Sequence, residues 1–107
     1  MNYGIKDDYW KRLETVFVSH KNIEKVILYG SRAKEINRPY SDVDIILVGE
    51  TIENREFCNI LNEIDDLLLP FIFDISVYHS IKDSNLIESI NRTGVIIYEN
   101  NSLVFLK

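Results

Sequence analysis

Hydrophobic residues recur at two periods along this chain, and the alternation between them sets out the elements. Over residues 7–19, Tyr9, Trp10, Leu13, Val16 and Phe17 recur at helical spacing, with Lys11, Arg12, Glu14 and Thr15 between them. That pattern predicts an amphipathic helix with Asp7 as its N-cap and His20 at its end. Val26-Ile27-Leu28-Tyr29 is a short run of strand formers stopped by Gly30. Ser31 can open a short helix over 31–37, broken before Pro39, and Arg38-Pro39-Tyr40-Ser41 reads as a turn. A second strand is expected over 42–48. The clearest helix spans 54–69, where Phe57, Ile60, Leu61, Ile64, Leu67 and Leu68 form one stripe and Pro70 closes it.

Residues 71–78 alternate like a strand. Phe71, Phe73, Ile75 and Val77 face one way; Ile72, Asp74, Ser76 and Tyr78 face the other. A helix over 83–92 carries Leu86, Ile87 and Ile90 and meets Gly94 at its C-terminus. Val95-Ile96-Ile97-Tyr98 is a last core strand, and 103–106 a further edge strand or docking tail. Strands and helices therefore alternate, which predicts an α/β (α+β) fold with helices packed on a mixed central sheet. With 107 residues and no linker-like stretch, one domain over 1–107 is expected.

Composition narrows the classes. No run of roughly 18 apolar residues marks a membrane span, and the N-terminus shows no signal-peptide core, so the expected location is cytoplasmic. The net charge of -5 argues against a domain that grips long nucleic acid by its phosphates. Cys58 is the only cysteine, which rules out an internal disulfide and a cysteine zinc site; it is expected to pack in the core.

Chemistry concentrates in residues 30–44. Asp42 and Asp44, two apart at a strand start, project to one face, where two like charges repel unless a proton or cation lies between them. Magnesium favours such carboxylates together with phosphate oxygens. Taken alone, the pair also fits an ordinary turn or solvated edge. Gly30-Ser31, where a strand turns toward a helix, offers backbone N–H groups that attract anions; the simpler reading is an N-cap. Asp74 is a lone charge in an apolar strand, costly to bury without a counter-charge. It either faces water on an edge strand or, if its strand adjoins 42–48, meets Asp42 and Asp44 across the ladder. His79 reads as a surface turn residue.

Gly30-Ser31, ten intervening residues and Asp42-Val43-Asp44 resemble the G-S-x10-D-x-D signature of minimal nucleotidyltransferases, in the DNA polymerase β-like nucleotidyltransferase superfamily. The resemblance extends through Asp74 to the segment 90–99. Relatives often carry Arg-Ala-Arg-Gly after the Gly-Ser; here the residues are Arg32-Ala33-Lys34-Glu35. The resemblance implies a polymerase β palm-like fold and transfer of AMP from ATP with one or two magnesium ions. It implies that Asp42, Asp44 and Asp74 hold metal and that Asp74 helps deprotonate the acceptor. Gly30 and Ser31 would fix the phosphates. Arg32 would add charge near them, or else be a solvated helix residue.

The same resemblance implies a helical HEPN toxin as partner, with this chain as the type VII antitoxin that modifies its tyrosine, in a hetero- or homo-oligomer. Contact neutralisation without catalysis is one alternative. Transfer to a small molecule, as in aminoglycoside-modifying enzymes, is another.

Overall fold

The computed structural model describes residues 2–34 and 42–105. Helix α1 (Asp7–Ser19) leads into strand β1 (Lys25–Tyr29). Strand β2 (Val43–Val48), helix α2 (Asn54–Asp66) and strand β3 (Phe73–Val77) follow. A 3-10 turn over Tyr78–Ser80 connects to helix α3 (Ser84–Thr93) and strands β4 (Val95–Glu99) and β5 (Ser102–Leu103). The five strands form one mixed sheet in the order β3-β2-β1-β4-β5. Strands β2 and β3 run parallel and are joined by the helical crossover that a parallel pair requires, and the other pairs are antiparallel. The mixed α/β architecture is the one expected from the alternating patterns.

The sheet has two differently covered faces. Val26, Leu28, Val43, Ile45 and Leu47 point to one, where they cluster with Trp10, Leu13 and Phe17 of α1 and Ile60 and Ile64 of α2. Tyr29 and Asp44 alternate with these residues and point the other way. Helix α3 lies on that second face, because the Tyr29 hydroxyl and Ser89 Oγ are hydrogen-bonded at 2.8 Å. Asp83 caps α3, accepting from the N–H groups of Asn85 and Leu86. Gly94 ends it with an ordinary negative φ; the need for glycine there is space, since a Cβ would meet the Ile27 side chain and the Ile90 carbonyl.

Several boundaries shift. Lys6, not Asp7, is the N-cap of α1, and Asp7 and Asp8 occupy the first turn, where the helix dipole favours acids. Helix α2 stops at Asp66 rather than 69, because Leu68 takes a left-handed φ of 54° that no helix continues. Cys58 is exposed, not core: one residue past Phe57 turns about 100° around the helix, off the buried side. Residues 31–34 form a turn, and the rest of the helix expected over 31–37 lies outside the described residues, as do the turn at 38–41 and Leu106. No helix among the described residues is long and apolar enough to cross a membrane.

Candidate functional site

Strand β2 brings Asp44 to the α3 face of the sheet, with a neighbouring strand on each side. In the antiparallel ladder Asp44 stands opposite Tyr29, the last residue of β1. In the parallel ladder it stands opposite Asp74. Residues paired in register share a face, so two carboxylates project side by side from adjacent strands. The condition set on Asp74, that its strand adjoin β2, is met. Asp42 precedes β2 and is exposed, as is Asp74, whereas Asp44 is half-buried. The Val43 N–H donates to the Ile72 carbonyl at 2.9 Å, which fastens the start of β2 to the segment entering β3.

The Gly30 turn closes on the same carboxylate. Gly30 has a left-handed φ of 79°, and a Cβ built there would strike Oδ2 of Asp44. Glycine is therefore required both by backbone conformation and by the approach of the acid. The chain then turns through residues 31–34, with Lys34 N–H reaching the Gly30 carbonyl at 3.3 Å. Ser31 follows directly, half-buried at the turn.

Electrostatics single out Asp44. Burial, followed by the negative charges of Asp74 and Asp42, holds its carboxyl above the usual carboxylate range. The three acids thus feel one another, and the donors are the hard oxygens magnesium takes. Among the described residues no three His, Cys, Asp or Glu side chains are drawn together as a ready-made metal site. Carboxylates that repel one another stand apart until a cation joins them. The charge excess at Asp44 is what such an ion would relieve, so the donor set fits the group.

Arg32 is not a solvated helix residue. It is fully buried, its guanidinium lies 5.1 Å from the Phe71 ring centre, and Nη1 donates to the Tyr3 carbonyl at 3.2 Å. It sits behind the Gly-Ser turn and joins it to the N-terminal segment and to the chain leading into β3. Burial lowers its pKa from the ordinary arginine value. His79 is exposed in the 3-10 turn, as expected. Sequence reasoning missed Tyr29, the ladder partner of Asp44, and its bond to Ser89; the signal is present in the alternation that sets Tyr29 opposite Leu28.

An acidic strand pair beside a tight glycine turn, on a mixed sheet backed by helices, places the chain in the nucleotidyltransferase class of folds. The chain belongs to the Polymerase beta, Nucleotidyltransferase family, which it matches over residues 11–103. Among solved structures, it is similar to a toxin-antitoxin crystallised with AMP-PNP, at 16% identity and a TM-score of 0.67, over 89% of this chain and 74% of that one. A mutant of the MntA-HpeT toxin-antitoxin gives 14% identity and a TM-score of 0.64, over 89% and 74%. A Sulfolobus solfataricus protein assigned as a nucleotidyltransferase gives 19% identity and a TM-score of 0.57, over 91% and 82%. No curated protein matches the sequence.

Proposed function

We propose that this chain transfers AMP from ATP to a hydroxyl on a protein acceptor, a tyrosine of a helical HEPN toxin, and so acts as an antitoxin. The observation that carries the reading is the in-register pairing of Asp44 with Asp74, with Gly30 packed against Asp44. The toxin-antitoxin relatives, one of them crystallised with the ATP analogue AMP-PNP, support the choice of donor and of acceptor class.

In the reaction the acceptor oxygen attacks the α-phosphorus, the bond to the bridging oxygen breaks, and pyrophosphate departs. Asp74, exposed at the sheet edge, takes the proton of the acceptor hydroxyl. Asp42, Asp44 and Asp74 would hold magnesium, which when bound neutralises the phosphate oxygens on the attacking and leaving sides. The backbone of Gly30 and the hydroxyl of Ser31 anchor the outer phosphates. Arg32, buried behind them, keeps the turn seated and adds positive charge from within. The protein positions groups and balances charge, which is most of what phosphoryl-type transfer asks of it.

The test incubates the chain with ATP, magnesium and a HEPN protein as acceptor. A mass gain of one AMP on a tyrosine of that protein, absent with Asp42→Asn/Asp44→Asn, is the expected result. No gain with the wild-type chain refutes transfer to this acceptor. Equal protection of cells by the aspartate variant and the wild type would establish neutralisation by contact instead.

A further inference from the structure

His20, the residue after α1, places its imidazole between two acids of α2. Nδ1 lies 2.9 Å from Glu56 Oε2 and Nε2 lies 2.8 Å from Glu63 Oε2. The two glutamates are two helical turns apart and reach the ring from either side. A neutral imidazole has one N–H and one bare lone pair. With acids at both nitrogens, only the doubly protonated ring satisfies both contacts; a neutral ring turns a lone pair toward a carboxylate.

The contact extends into a network. Asn22 Nδ2 donates to Glu56 Oε1 at 2.8 Å, and Thr51 Oγ1 donates to Asn22 Oδ1 at 2.8 Å. Ser19 Oγ, which donates to the Val16 carbonyl at 2.8 Å, also lies 3.5 Å from the other oxygen of Glu63. Three segments therefore meet here: the end of α1, the loop after β2, and α2. Glu53 and Arg55 line the open cleft of about 340 Å³ beside His20, and Lys21 follows it in the chain. All of this gathers beyond Val48, at the end of β2 away from Asp44, so it is independent of the acidic site.

We propose that His20 is a proton-operated latch fastening the end of α1 to α2, closed while the ring carries both protons and released when it loses one. Burial pulls the His20 pKa down, but the hydrogen bonds and charges of Glu56 and Glu63 outweigh it, and the net direction is above the ordinary 6.5. Asn22 and then His20 hold Glu56 below its ordinary value. The signs follow. His20's contribution to stability is complete below the unfolded histidine value and is lost as pH rises through its raised folded value. Glu56's contribution is present above the unfolded glutamate value and is lost as pH falls through its lowered one. The latch is closed between those two limits.

The experiment is an NMR titration of the full chain, whose only other histidine is His79, alongside thermal melts from about pH 5.5 to 8.5. His20 is expected to titrate above the ordinary histidine value of about 6.5, and Glu63→Gln is expected to lower the His20 midpoint. His20→Gln is expected to flatten the alkaline fall of the melting temperature. A His20 midpoint at or below about 6.5, or one unmoved by Glu63→Gln, overturns the latch, as do parallel melting profiles for wild type and His20→Gln. Should His20→Gln not fold, the Glu63→Gln titration decides alone.

Discussion

Replacing Gly30 by alanine tests the packing on which the acidic site depends. An L-residue held at a φ of 79° sits in the left-handed region, which costs about 1–2 kcal/mol. The new Cβ also points at Oδ2 of Asp44, so the carboxylate must leave its rotamer, at a further cost of about 0.5–1.5 kcal/mol. Together these destabilise the fold by about 1.5–3.5 kcal/mol, equivalent to a drop of roughly 6–28 °C in Tm for a domain near this size. Trp10 is the only tryptophan and is fully buried, so its fluorescence reports unfolding. Binding of ATP with magnesium, measured calorimetrically, should weaken in parallel, since the displaced acid is the central one of the three. Gly30→Asn separates the two costs: asparagine tolerates the backbone conformation better but keeps the crowding, and should fall between glycine and alanine. A Gly30→Ala chain that melts within about 2 °C of wild type, well inside the shift expected from these costs, and still binds nucleotide would refute the reasoning.

Other substitutions address separate parts of the molecule. Asp44 has a raised folded pKa, so its ionisation opposes folding: stability falls as pH rises from the unfolded value through the folded one. Asp44→Asn should therefore melt higher than wild type at pH 7 without divalent cations, while AMP transfer drops by about 10²-fold or more; a lower Tm contradicts the charge argument. Leu68 is exposed and left-handed at φ 54°, and Leu68→Gly should stabilise the chain by about 0.5–1 kcal/mol in urea titrations, backbone relief exceeding the added freedom of the unfolded state. Arg32→Ala empties a fully buried site over Phe71 and removes a donor to Tyr3, and should cost about 2–4 kcal/mol by the same measurement.

Periodicity in the sequence is enough to locate α1, α2, α3 and strands β1 to β4, because each buries one face and leaves the other to water; the two-residue β5 is too short to show a period. Its boundaries failed where a single backbone angle decided them. The stripe that ran on to Leu67 and Leu68 was real as a pattern, yet Leu68 turned left-handed and ended α2 early. Cys58 was misplaced because only Ile60 and Ile64 of α2 are fully buried, a narrower stripe than its apolar residues suggest. The acidic triplet was legible in part: Asp42 and Asp44 from spacing, Asp74 as an anomaly in an apolar strand, their adjacency only once β3 was placed beside β2. Partners distant in sequence left no trace. Nothing local marks Arg32 for burial under Phe71, or His20 for acids 36 and 43 residues away.

Among the described residues strand β3 is the outermost strand on its side of the sheet, and Ile72, just before it, is 70% exposed. An open border flanked by apolar side chains invites a second chain to add to it, and proteins commonly guard such borders with a charge. Asp74 is that guard, stationed midway between Phe73 and Ile75. The carboxylate proposed to hold metal would thereby also disfavour edge-to-edge pairing of copies of the molecule. Neutralising it removes both protections at once, and an inactive Asp74 variant has to be weighed by light scattering before its silence is credited to catalysis.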